Sequence, residues 1–275
     1  MKVHHLNCGT MCPLGGRLVN GAGGVFERAT MVCHCLLIET ADGLVLVDSG
    51  LGTADVREPT RRLGREFSAM MGARLDLEET ALRQVERLGF GADDVRHVVL
   101  THLDLDHAGG ISDFPAAKVH VLDREHDAAL HKRTFLESRR YRSAQWAHDP
   151  TWVIHAVAGE RWHEFDAVHA LSGASSGEVL LVPLFGHSRG HCAVAVRSDD
   201  GWLLHCGDAY FHTDEMHPDA PHCTPALAAF QRIVAVDDAA RVRNQGRLRA
   251  LKREHGAELQ LFCAHDPSEL ASALR

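Results

Sequence analysis

Two stretches of the chain repeat one plan. Ile38 to Asp48 reads Ile-Glu-Thr-Ala-Asp-Gly-Leu-Val-Leu-Val-Asp, and Val196 to Asp208 reads Val-Arg-Ser-Asp-Asp-Gly-Trp-Leu-Leu-His-Cys-Gly-Asp. Each is an apolar run, an Asp-Gly turn and a second apolar run, the pattern of a β-hairpin. Each also delivers an aspartate where the second strand ends. His102 and His265 follow apolar runs in corresponding places of the two halves. The offsets nearly agree, 160 residues for the aspartates and 163 for the histidines. We read this as an internal duplication, two strand-and-helix units packed sheet to sheet with helices outside. Two unrelated hairpins of ordinary kind are the alternative.

The remaining periodicities fill in such units. Strands are expected at 36–40, 44–48, 95–101, 118–122, 178–184, 192–198, 202–206 and 258–263. Apolar residues at 77, 81, 82, 85 and 88 predict an amphipathic helix ending before Gly89. Helical spacing recurs over 123–147, and two helices fit 225–254. With 275 residues the chain can bury a large core, and we take 1–275 as a single α/β domain.

A formal charge of -8 removes the electrostatic reason to expect nucleic acid or an anionic membrane as partner. No apolar run has the length of a membrane span, and the first residues lack a secretory pattern. The eight cysteines form no Cys-x-x-Cys pair, and several sit in apolar runs. Buried reduced thiols, and with them a cytoplasmic location, are the expectation. Histidine is the outlier at 21 residues, so a single histidine carries little weight and a cluster carries much.

The densest chemistry lies in Thr101-His-Leu-Asp-Leu-Asp-His-Ala-Gly-Gly110. There His102, Asp104, Asp106 and His107 offer two imidazoles and two carboxylates straight after an apolar run. A strand's end is rigid and holds ligands in position for a metal. The glycines let the backbone close on whatever Asp106 and His107 bind. Singly, Asp106 would serve as a helix cap and His102 as a satisfied polar residue. Those readings explain each residue but not the cluster. Three further loops follow apolar runs: Gly186-His-Ser-Arg-Gly-His191, Cys206-Gly-Asp208 and Cys263-Ala-His265. With His187, Asp208 and His265 they complete a donor set suited to zinc, iron or manganese.

At these residues the chain resembles the metallo-β-lactamase superfamily, whose pattern is His-x-His-x-Asp-His, Gly-His-Ser/Thr, Gly-Asp and a final histidine. The resemblance spans nearly the whole chain and includes Leu46-Val-Asp-Ser-Gly50. Within the superfamily it is most similar to the quorum-quenching N-acyl-homoserine lactone lactonases. Asp106-His-Ala-Gly-Gly110, Glu125-His-Asp-Ala-Ala-Leu-His131 and Phe262-Cys-Ala-His-Asp266 carry that likeness. It implies a four-layer αββα sandwich, built from two similar halves, and two divalent metal ions, zinc first, with iron or manganese as alternatives. One metal then takes His102, His187 and Asp208, with Asp104 where the family has its second histidine. The other takes Asp106, His107, His265 and the same bridging Asp208. His191 becomes a support, because the family's ligand is the histidine before Ser or Thr. Asp48 orients a ligand.

Two departures bear on chemistry. With Asp104 in place of histidine, three carboxylates and a bridging hydroxide balance two divalent cations. That makes a weaker Lewis acid and tilts preference toward iron or manganese. Lactonases of this family also place a tyrosine three residues beyond the bridging aspartate, where this chain has Phe211, flanked by Tyr210 and His212. Either neighbour is a candidate to stabilise an oxyanion. The implied reaction is attack of a metal-bridging hydroxide on the carbonyl of a lactone or related ester, with Asp106 handling the proton. An apolar pocket wall is expected from 11–31 and from 146–152. The partner is a small-molecule lactone or ester, and a homodimer is a candidate assembly. The alternatives are hydrolysis of a thioester, phosphoester or β-lactam, an iron redox protein, and a weakly active metal-binding sensor.

Overall fold

The computed structural model describes the chain apart from residues 158, 160, 172–178 and 200, and residue 169 by its backbone alone. The expected strand start at 178 and the turn residue 200 lie outside the described residues. The first sheet runs in sequence order: β1 (Lys2–Met11), β2 (Met31–Thr40), β3 (Gly43–Val47), β4 (Val95–Val99), β5 (Lys118–Leu122) and β6 (Thr151–His155). A small hairpin follows, β7 (Arg161–Trp162) with β8 (Phe165–Asp166). The second sheet contains β9 (Val168–His169), β10 (Val179–Pro183), β11 (Cys192–Ser198), β12 (Gly201–His205) and β13 (Leu259–Phe262), in the order β13-β12-β11-β10-β9.

Side-chain alternation sorts the layers. Leu36, Ile38, Val45 and Val47 face Leu181, Val194, Val196 and Phe262 across the space between the sheets. The intervening Cys35, Leu37, Leu44 and Leu46 face outward, onto Ala81 and Val85 of one helix and Ala128 and Ala129 of another. On the second sheet Leu180, Val182, Ala193 and Ala195 meet Leu248 and Leu251 of the helix Asp238–His255. Each fully buried Leu, Ile or Val contributes roughly 1.5–3 kcal/mol. Because both faces of β2 and β3 are apolar, the register of this pair is set by the tight turn at Ala41 and Asp42, which pairs Thr40 with Gly43. The result is helix, sheet, sheet, helix, the expected sandwich.

The two halves match in topology. β2 and β3 pair antiparallel and β4 joins β3 in parallel; β11 and β12 pair antiparallel and β13 joins β12 in parallel. Asp48 and Asp208 follow β3 and β12, and His102 and His265 follow β4 and β13. Both sheets therefore send their ligand-bearing loops to one end.

Several elements differ from expectation for local reasons. Polar β1 pairs with β2 as an edge strand, which its weak apolar pattern does not announce. The helix expected over 77–88 divides at Thr80. Its extended backbone and its side chain, which accepts the Arg83 amide, start the helix Ala81–Arg87 afresh. The helical stretch 123–147 breaks at Lys132, which takes a φ of 46°, and at the Thr134 cap. Residues 146–152 do not wall the site. Trp146 and Trp152 pack edge to face, 6.5 Å apart, on the outer core of the first sheet. All eight cysteines are unpaired and six are buried. Among the described residues, no helix is long and apolar enough to cross a membrane.

Candidate metal centre

Seven side chains from four loops meet at the open end of the sandwich. On one side His187 Nε2 lies 3.1 Å from Asp104 Oδ2, and His102 Nε2 lies 3.4 Å from the same oxygen. On the other, His107 Nε2 and His265 Nε2 are 3.4 Å apart, and Asp106 Oδ2 is 3.6 Å from His265 Nε2. Asp208 stands between the groups. Its Oδ2 lies 3.4 Å from His187 Nε2 and 3.8 Å from His102 Nε2. Its Oδ1 lies 3.2 Å from His107 Nε2 and 3.0 Å from His265 Nε2. One carboxylate thus offers one oxygen to each group.

The outer faces of the imidazoles are tied down. Asp48 Oδ1 accepts from the Thr101 amide at 2.8 Å, and its Oδ2 accepts from Thr101 Oγ1 at 2.8 Å and from His107 Nδ1 at 2.7 Å. With its proton given to Asp48, Thr101 Oγ1 accepts from His102 Nδ1 at 2.9 Å. His265 Nδ1 donates to the Val32 carbonyl at 2.7 Å. In all three, the Nδ1–H points outward and Nε2 faces the cluster, the arrangement metal-ligating histidines use. Asp48 holds a φ of 52°, a costly backbone state for a non-glycine residue, at this junction.

His191 supports from behind: its Nε2 accepts the Asp208 amide at 2.9 Å and its Nδ1 donates to the Leu184 carbonyl at 3.1 Å. Gly207, with a φ of 52°, leaves room for that ring, since a Cβ there would lie 2.6 Å from His191 Nε2.

Two contributors were not assigned from the sequence. Glu125, fully buried, accepts the Leu103 amide and Tyr141 hydroxyl on Oε1, and the Ser188 hydroxyl and Gly190 amide on Oε2. It joins the loop of His102 to the loop of His187. Gly190 approaches it so closely that a Cβ would meet the Glu125 amide nitrogen at 2.1 Å. Arg140, the last residue of the helix Phe135–Arg140, donates from Nη1 to both oxygens of Asp104, at 3.0 and 3.2 Å. One arginine among Arg139, Arg140 and Arg142 gives no sign of this in sequence.

Electrostatics follows from these neighbours. Burial favours the neutral Asp104 carboxyl, but Arg140 and then His102 hold it well below the usual carboxylate range. Burial, with Arg140 adding to it, lowers His187 to about 4. Burial likewise lowers His107, yet Asp208 and Asp48 outweigh it and raise the ring well above the usual imidazole value. The cluster therefore draws positive charge inward. The donor atoms fit a cation. Buried His102 Nε2 and Asp208 Oδ1 have no hydrogen-bond partner among the described residues, although other donor atoms surround both. The sets His102, Asp104, His187, Asp208 and His107, Asp208, His265 each place their ligand atoms within 4.8 Å of one another. His187 Nδ1 has no hydrogen-bond partner among the described residues, so this ring is the least oriented of the four.

The two candidate oxyanion groups do not join the centre. Tyr210 is fully buried in the second half's outer core, and its hydroxyl donates to Glu269 at 2.9 Å. His212 caps the short 3-10 helix Thr213–Met216, its Nδ1 accepting from the Asp214 amide at 3.2 Å. Phe211 takes the inner place, stacked on His265 at 5.1 Å. The segment 11–31 does come alongside: its Met11, Val19, Ala29 and Met31 cluster with Cys33, Phe211 and Leu227.

Comparison with known proteins agrees with this geometry. The chain is 43% identical to a "probable metallo-hydrolase" of Mycobacterium tuberculosis, over 97% of this chain and 81% of that one. It is 28% identical to an N-acyl homoserine lactonase of Bacillus thuringiensis, over 46% of this chain and 50% of the lactonase. A solved N-acyl homoserine lactone hydrolase with a bound product superposes with a TM-score of 0.72 at 22% identity, covering 98% of this chain and 95% of that one. The sequence profile described as "Metallo-beta-lactamase superfamily" matches residues 29–245. This chain belongs to the metallo-β-lactamase superfamily and is one of its metal-dependent hydrolases.

Proposed function

We propose that the protein is a dinuclear hydrolase that opens a lactone or a related ester. The observation that carries this reading is Asp208, whose two oxygens each face a separate pair of imidazoles at 3.0 to 3.8 Å. One divalent cation would be held by His102, Asp104, His187 and Asp208, the other by Asp106, His107, His265 and Asp208. Bound there, such cations supply an acidified water as nucleophile and polarise the carbonyl it attacks. Each position then has two imidazoles and two carboxylates, a donor set that suits zinc, iron or manganese.

The chain's own residues do the rest. Asp106, at the edge of the cluster and 8% exposed, is the carboxyl placed to carry a proton from nucleophile to leaving alkoxide. Met11, Met31, Phe211, Leu227 and the partly buried Phe230 form an apolar wall beside His265, suited to an acyl chain. The lactonase-like segments around Ala108, Ala128 and His265 support a lactone over other esters. Eight unpaired thiols suit a reducing compartment, and we place the protein in the cytoplasm.

The test joins metal analysis to a substrate panel on the same sample. We expect two divalent ions per chain, ring opening of lactones by proton release, and loss of both metals in Asp208→Ala. One ion persisting in excess zinc, manganese or iron refutes the dinuclear reading. Brisk cleavage of another ester class with no lactone turnover moves the substrate to that class.

A further inference from the structure

Cys33 brings a sulfur atom to one corner of this centre. Its Sγ, a carboxylate oxygen of Asp106 and a ring nitrogen of His265 all lie within 4.8 Å of one another. The side chain is 2% exposed and belongs to no disulfide. Its place is set by backbone pairing. His265 Nδ1 donates to the carbonyl of Val32, the His34 amide donates to Ala264, and the Cys33 amide donates to Asn7 Oδ1. β2 is thereby laid against the loop that carries His265, with Cys33 facing it. A second observation points to a ligand at this corner: buried Asp208 Oδ1, 3.0 Å from His265 Nε2, has no hydrogen-bond partner among the described residues.

We propose that Cys33 donates a thiolate to the cation held by Asp106, His107, His265 and Asp208, a role that rests on the dinuclear reading above. Nitrogen and oxygen donors sit ~2.1 Å from zinc and sulfur ~2.3 Å, so one ion spans these three atoms after shifts of a few tenths of an ångström. On ligation the S–H bond breaks, its electron pair goes to the cation and the proton leaves to solvent. The two positions then differ in kind. The one with Asp104 has only nitrogen and oxygen donors, and the one with Cys33 adds a soft donor that favours zinc.

Cobalt reports sulfur ligation without reference to catalysis. The full chain, stripped by chelation and refilled with two equivalents of cobalt(II), should show a near-ultraviolet sulfur-to-cobalt charge-transfer band beside its visible bands. Cys33→Ser should lose the near-ultraviolet band and keep the visible ones. Cys35→Ser, on the same face of β2 but among apolar neighbours, should keep both. Cobalt-edge X-ray absorption of the wild type should find one sulfur at ~2.3 Å shared between two ions, a measurement that holds even if Cys33→Ser fails to fold. Two bound cobalt ions with neither band nor sulfur scatterer overturn the Cys33 proposal and leave the dinuclear reading standing. A band that survives Cys33→Ser overturns it too. No cobalt bound overturns both.

Discussion

Glu125 touches no candidate ligand, yet its removal should disturb two of them. Its Oε1 holds the Leu103 amide at 3.0 Å and the Tyr141 hydroxyl at 2.9 Å; its Oε2 holds the Ser188 hydroxyl at 2.6 Å and the Gly190 amide at 2.9 Å. Glu125→Ala strands four buried donors. Hydroxyls can turn to other acceptors, but amides cannot, and each unsatisfied amide costs about 1–3 kcal/mol. With the two amides and part of the hydroxyl loss, the sum is about 4 kcal/mol, or roughly 10 °C in Tm for a domain near this size. Glu125→Gln is the sharper test. Each oxygen serves one amide, so whichever way the glutamine turns, one amide faces an NH2 group, at a cost of about 1–3 kcal/mol. Thermal unfolding and metal content of the two variants check the order: wild type above Gln above Ala, with metal lost first at His102 and His187. A glutamine variant with wild-type Tm and metal content would refute the role given to Glu125.

Arg140→Met should cost about 3 kcal/mol by leaving the Asp104 charge without its partner, and Asp104→Asn added to it should recover part of that loss in thermal unfolding. The Glu269 carboxyl is pushed up by burial from 4.5 to about 7, so it favours folding fully below about pH 4.5, and this contribution is lost as pH rises through about 7. The difference is worth roughly 3 kcal/mol, and Glu269→Gln should therefore gain in Tm over wild type between about pH 5 and pH 8, whereas a constant difference rejects the assignment. Phe211→Tyr places a hydroxyl beside the ring of His265 and should raise lactone turnover on the order of tenfold, as expected of an added oxyanion donor; an unchanged rate means the oxyanion is stabilised elsewhere.

Much of this was legible in the chain because the site is local in sequence. The residues of the candidate centre leave strand ends, and the apolar runs 36–38, 44–47, 192–196 and 202–204 are bounded by turn residues, so strands and the loops after them could be placed together. The likeness of the two halves was legible for the same reason: each carries an Asp-Gly turn between two apolar runs. What escaped depends on pairs distant in sequence. Arg140 meets Asp104 from a separate helix, Cys33 reaches His265 from another strand, and Glu125 gathers donors from three segments. Residues 210–212 are a separate case. All three sit in one short turn, and spacing alone does not tell which side chain faces inward; the structure gives that place to Phe211 and sends Tyr210 to Glu269.

Arg140 also changes what Asp104 means. Counted without it, three carboxylates and a hydroxide would cancel the two divalent cations of the proposed centre, making it a poorer Lewis acid than one with a histidine at that place. The Arg140 guanidinium, donating to both oxygens of Asp104, adds one positive charge at contact distance. An imidazole has then been exchanged for an ion pair of no net charge, and before a Cys33 thiolate is counted the total returns to that of the usual pattern; the thiolate lowers it by one unit. What remains different is the donor: oxygen in place of nitrogen, already polarised by a cation on its outer side and so a weaker ligand than a free carboxylate. Asp104→His alone would therefore not restore the family's centre. It would set an uncharged imidazole against a buried guanidinium that has lost its carboxylate, whereas Asp104→His with Arg140→Gln reproduces the donor and, Cys33 aside, the charge.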